Sequence, residues 1–154
     1  MKFVNLGNTE LKVTDFCLGT MTWGEQTDEV DAHKQIEMSL DAGINFIDTA
    51  NIYGRGLSEE RIGMVIKGIR SQVLVATKVS GSMGDGPNAH GNSRHHIMQQ
   101  VEDSLRRLQT DYIDLYQIHF TDSNTPIEET LRTLDDLVHQ GKVLYLASST
   151  FAAW

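Results

Sequence analysis

The sequence predicts an α/β fold built on a parallel sheet, and three observations carry that reading. Short runs of β-branched and aromatic residues alternate along the chain with apolar residues at helical spacing. Links from helix to strand are short, as at Gln140-Gly141, whereas links from strand to helix are long, spanning 20–27, 50–57 and 80–92. Three successive strand ends carry ionisable groups: Asp48, Lys78 and His119. Long loops and polar groups gather at the carboxyl ends of strands where α/β folds keep their sites.

The elements follow in order. Residues 3–6 and 11–13 flank Gly7-Asn8-Thr9-Glu10 and read as a hairpin. The first parallel strand is expected over 15–19. A helix follows near 28–42, with Ala32, Ile36 and Leu40 on one face and Gly43 as its stop. The second strand is 45–49. The second helix starts at Ser58, with Glu59 and Glu60 in its first turn and Ile62, Val65, Ile66 and Ile69 turned inward. The third strand is 73–79, and a helix from Ser93 carries Ile97, Val101, Leu105 and Leu108. The fourth strand is 112–119. Thr125-Pro126-Ile127-Glu128 reads as a capping box with proline at the first helical position. That helix carries Ile127, Leu131, Leu134 and Val138 and ends at Gly141; the fifth strand is 143–149.

The chain of 154 residues reads as one domain, with the hairpin in 1–14 and β/α units in 15–154. Five strands and four helices suit either a complete doubly wound open sheet or part of an eight-stranded barrel, which takes about 250 residues. No apolar run approaches the roughly 20 residues of a membrane span, and the first residues lack the apolar core of a signal peptide. With a single cysteine, Cys17, no internal disulfide can form, and Cys17 is expected in the core. These features point to the cytoplasm. Net charge is −8 and Lys and Arg form no patch, so neither nucleic acid nor an anionic membrane is an expected partner.

The strand-end groups suggest carbonyl reduction. That reaction puts a hydride on carbon and a proton on oxygen, and the proton needs a positioned acid. A free phenol, with a pKa of about 10, is a poor donor near neutrality, and an adjacent ammonium makes it a better one. Tyr53, in the loop five residues past Asp48, could supply the phenol and Lys78 the ammonium. Asp48 could keep Lys78 charged, and His119 could orient the substrate oxygen. Taken singly, each has a plain structural reading: a turn cap, a loop aromatic, a solvated strand end, a core histidine. Their recurrence at consecutive strand ends is what argues for a site.

These residues lie in longer stretches that resemble the aldo-keto reductases, most closely bacterial NADPH-dependent members with a long loop after the third strand. The stretches are Asp48-Thr49-Ala50-Asn51-Ile52-Tyr53-Gly54 continuing to Glu59, Ala76-Thr77-Lys78-Val79, residues 104–119 and Gly141-Lys142-Val143. The resemblance covers essentially the whole chain. It implies a (β/α)8 TIM-type barrel closed at its base by the hairpin and present here as a partial barrel, its N-terminal part. It implies NADPH/NADP as cofactor, Tyr53 as proton donor, Lys78 and Asp48 as its tuners, and His119 as guide of a small carbonyl substrate.

By position, Gly19, Thr20, Asp48, Ser149 and Thr150 would contact the cofactor, and Trp23, Tyr53 and His119 the substrate, Trp23 as an apolar wall. Where the family usually has a Ser-Asn pair, this chain has Ser149-Thr150, and threonine lacks the paired donor and acceptor of asparagine. The resemblance implies three more strands beyond Trp154. A five-stranded remnant would expose its edges and tend to self-associate. An interaction protein keeping the half-barrel is the alternative from another functional class. Gly54-Arg55-Gly56 reads as a turn rather than a phosphate loop, and His90, His95 and His96 as solvated histidines rather than metal ligands.

Overall fold

The computed structural model describes residues 1–152. The hairpin pairs β1 (Phe3–Asn5) with β2 (Lys12–Thr14) antiparallel. It is tied to the next layer by Asn45, whose Oδ1 accepts from Thr14 N at 2.9 Å and whose Nδ2 donates to Lys12 O at 3.2 Å. Its tip, Leu6 to Thr9, closes one end of the concave face of the main sheet.

That sheet comprises β3 (Leu18–Gly19), β4 (Phe46–Asp48), β5 (Leu74–Val79), β6 (Ile113–Ile118) and β7 (Val143–Ser148). All neighbours are parallel and the spatial order equals the chain order. A doubly wound sheet would place its first strand centrally; sequential order is that of a barrel wall, and the fold is a partial (β/α)8 barrel. The helices are α1 (Glu29–Asp41), α2 (Leu57–Ile66), α3 (Arg94–Leu108) and α4 (Ile127–His139). They cover the outer face, where Ile47, Val75, Val79, Tyr116 and Ile118 are buried in one core with Ile62, Ile97, Val101, Leu108 and Leu134. Alternation along each strand sends the other set of side chains to the concave face.

Local chemistry sets most helix ends. Asp28 caps α1 by accepting from Asp31 N at 2.9 Å, and Gly43 leaves it at φ 84°. Ser93 caps α3 by accepting from His96 N at 3.3 Å. The expected capping box of α4 does not form. The helix begins at Ile127 with Pro126 as its cap residue, and the Thr125 hydroxyl instead donates to Asp122 Oδ2 at 2.8 Å.

The layer between α2 and α3 is unusually close and polar. Gly63 of α2 packs against the backbone of Arg107 and Leu108 in α3. Beside it, fully buried Glu59 accepts from Arg107 Nε at 2.7 Å and from the Thr77 hydroxyl at 2.5 Å. These bonds join α2, α3 and β5, fixing the segment that follows the loop carrying Tyr53.

Two further expectations are corrected. Cys17 is exposed, because the strand it precedes is only two residues long and sits at an open sheet edge. Ile127 and Leu131 are exposed too, since α4 buries the face bearing Leu134 and Leu137. Leu144 and Leu146 on edge strand β7 are likewise exposed.

Candidate active site

The parallel register brings the strand-end groups together. Asp48 lies level with Ala76 across the β4–β5 ladder, two residues before Lys78, and Lys78 lies level with Gln117 across β5–β6. All three therefore project from the concave face. His119 is the first residue past β6, held where its amide donates to Val79 O at 2.8 Å.

The ammonium of Lys78 is buried at 6% exposure and holds three acceptors. Nζ donates to Asp48 Oδ2 at 2.6 Å, to Thr49 O at 2.8 Å and to the Tyr53 hydroxyl at 3.4 Å. Three N–H bonds meet three oxygens, so the group's donor capacity is filled. Asp48 is the counter-charge that makes a buried cation tolerable. A phenol oxygen facing an ammonium is the arrangement that stabilises a phenolate.

His119 completes the cluster. Its ring meets that of Tyr53 edge to face at 5.9 Å between centroids, and the Phe120 ring stacks on it at 4.1 Å and 9°. Burial pushes the imidazole below its ordinary pKa, and the Lys78 charge pushes the same way against a smaller opposing effect of Asp48. A neutral imidazole donates one N–H and accepts at the other nitrogen.

The loop carrying Tyr53 is shaped by three successive left-handed residues: Gly54 at φ 55°, Arg55 at φ 53° and Gly56 at φ 98°. A Cβ on Gly54 would stand 2.7 Å from Trp23 O, so the two loops pack backbone to backbone. This close approach corrects the expectation for Trp23. The side chain is fully buried and its indole Nε1 donates to Gln35 Oε1 at 2.9 Å. Trp23 thus lies packed beneath the loop rather than exposed on it. Phe120, 41% exposed and stacked on His119, is an exposed aromatic beside the cluster.

The expected cofactor contacts divide. Gly19 is exposed, and a Cβ there would meet nothing within 4 Å, so the end of β3 is open. Ser149 is half-buried at the end of β7, its hydroxyl 3.2 Å from that of exposed Thr150. Thr150 adopts φ 58°, a conformation that β-branched residues rarely take. Thr20 does not offer a free hydroxyl: fully buried, it donates to Asp48 O at 3.0 Å and accepts from Ser58 at 2.7 Å. Among the described residues no cluster of three His, Cys, Asp or Glu side chains could hold a metal.

On the barrel side of the site lies an open cavity of about 670 Å³, which reaches Cys17, Gly19, Asp48, Leu115, Gln117 and Tyr145. Although Cys17 is exposed as a residue, partial desolvation by the surrounding chain and then the Asp48 carboxylate push its thiol up to about 11, so it is not an activated nucleophile. Two residues outside the expected set, Gln117 and Phe120, also contact the cluster. An amide between Leu115 and His119 on the same strand face was the available signal for Gln117.

Phenol, ammonium, carboxylate and imidazole thus meet at one mouth of a partial β/α barrel, and comparisons with known proteins give the family. The profile of the Aldo/keto reductase family matches residues 15–154, and the chain belongs to that family. It is 45% identical over its whole length to an uncharacterised oxidoreductase of Bacillus subtilis, YrpG, covering 51% of it. It is 40% identical over 99% of its length to the aldo-keto reductase YhdN of the same organism, covering 48% of that protein. Among solved structures, the holo form of aldo-keto reductase AKR11C1 from Bacillus halodurans matches with a TM-score of 0.89 and 39% identity. That match covers 98% of this chain and 51% of that one. The chain thus spans about half the length of the relatives it matches. No helix among the described residues is long and apolar enough to cross a membrane.

Proposed function

We propose that this chain carries the proton-delivering part of an NADPH-dependent reductase of aldehydes and ketones. The observation behind the proposal is the tripod on Lys78, which sets one ammonium against both the Asp48 carboxylate and the Tyr53 hydroxyl. In this reading the carbonyl oxygen of a small substrate sits between Tyr53 and His119. Tyr53 gives its proton to that oxygen as negative charge develops there. Lys78 stabilises the phenolate left behind, with Asp48 balancing its charge. His119, kept neutral by burial, donates a hydrogen bond to the same oxygen and orients it.

The residues at the strand ends fit the nicotinamide end of a dinucleotide. The end of β3 at Gly19 is open to close approach, and the half-exposed Ser149 hydroxyl offers a polar contact on the opposite strand. Asp48 lies on the strand paired to Gly19. NADPH bound there supplies the hydride for the carbonyl carbon.

The full-length protein, given NADPH and an aldehyde such as 4-nitrobenzaldehyde, should consume one NADPH per alcohol formed. Absorbance at 340 nm alongside product chromatography measures both. Absence of alcohol across a panel of aromatic and aliphatic aldehydes, with NADPH bound, would overturn the assignment.

A further inference from the structure

We infer that Gln117 is a positioning residue for Asp48. Its Nε2 donates to Asp48 Oδ1 at 3.0 Å, while Lys78 occupies Oδ2 at 2.6 Å. The two oxygens of one carboxylate are thereby assigned to two different donors. Asp48 needs such a restraint: its side chain is 30% exposed, against 7% for Lys78. A carboxylate held through one oxygen can turn about its terminal torsion, which is broad and roughly two-fold. Held through both, it stays directed at Lys78.

Position and residue type both fit this task. Gln117 lies level with Lys78 in the β5–β6 ladder, so the two side chains leave the concave face next to each other and converge on Asp48. The rest of that strand face is apolar at Ile113 and Leu115. A polar amide in such a row calls for a partner. The amide must present its NH2 to a carboxylate, because the carbonyl oxygen would be repelled. A cation at 117 would compete with Lys78 for Asp48, an acid would repel it, and an alkyl chain would leave Oδ1 free to turn. A neutral donor long enough to cross two strands meets the requirement.

The inference rests on the proposed reductase reading, and a double-mutant cycle in the full-length protein separates the two. Gln117→Leu should lower kcat about tenfold, as loss of a hydrogen bond to a charged group does, with KM for the aldehyde and affinity for NADPH changed less than twofold. Asp48→Ala should lower kcat more. In an Asp48→Ala background, Gln117→Leu should have almost no further effect, because the acceptor of its hydrogen bond is gone. Additive losses, or a Gln117→Leu loss confined to KM or to thermal stability, would overturn the inference and leave the reductase reading standing. Unchanged kcat in Asp48→Ala would instead overturn the roles given to Asp48, and with them the inference.

Discussion

Replacing Gly63 by alanine should destabilise the protein even though alanine is the better helix former. Gly63 lies inside α2, where exchanging glycine for alanine gains about 1 kcal/mol of helix propensity. The new Cβ, however, would press into the Arg107 carbonyl oxygen and stand 2.7 Å from the Leu108 carbonyl carbon. Ordinary carbon contacts begin near 3.4 Å. The obstacle is helix backbone, which cannot swing aside as a side chain can, so α2 and α3 must separate by roughly an ångström. Separation also strains the buried Glu59–Arg107 pair beside them. Overpacking of this kind costs about 1–3 kcal/mol, and the added strain on a buried ion pair carries the sum past the propensity gain. A net loss of about 2 kcal/mol corresponds to a melting point lower by roughly 4–8 °C in a chain of this size. Thermal unfolding followed by circular dichroism measures it. Gly19→Ala is the control: a Cβ there meets nothing and φ is ordinary, so its melting point should match wild type. A Gly63→Ala protein as stable as wild type, or more so, would refute the packing argument.

Two other perturbations have defined outcomes. Arg107→Leu strands the fully buried Glu59 carboxylate with the Thr77 hydroxyl and should cost about 3–5 kcal/mol in denaturant unfolding, whereas adding Glu59→Gln should recover part of it. Equal stability of the single and double variants would contradict the stranded-charge explanation. Acidification is the second. Burial depresses the imidazole of His96, and burial followed by the Lys78 charge depresses that of His119. The unfolded chain therefore binds those protons first, and stability should fall as the pH drops below about 6.5 towards the lower folded values. His96, expected as a solvated histidine, is fully buried, and its desolvation outweighs the opposing backbone groups of Gly81 and Asn88, so His96→Phe should flatten that slope. An unchanged slope would show that His96 does not contribute.

Much of the fold was legible because β/α alternation leaves little freedom. Once parallel strands alternate with helices, their carboxyl ends share one mouth, and Asp48, Lys78 and His119 can be placed together from sequence position. The sequential strand order could not be read from periodicity, which is the same for an open sheet and a barrel wall. The misplacements of Trp23 and Thr20 share one cause, contacts between residues far apart in the chain, whereas that of Thr125 is local. Trp23 looks like an exposed loop aromatic until Gly54 allows two backbones to meet above it. Thr20 looks like a free hydroxyl until Ser58 and Asp48 engage it from 38 and 28 residues away. Thr125 looks like a helix cap until Asp122 claims its hydroxyl. Gln117 was hidden for the opposite reason, because a single amide in an apolar strand carries no period.

The central claim is that Tyr53 delivers the proton, and Tyr53→Phe in the full-length protein tests it most directly. The substitution removes one oxygen and leaves the ring against His119 and Lys78. The account predicts that NADPH-dependent aldehyde reduction at 340 nm falls by about 10²–10⁴-fold, the range for loss of general acid catalysis, while NADPH still binds with wild-type affinity. Turnover equal to wild type would contradict it.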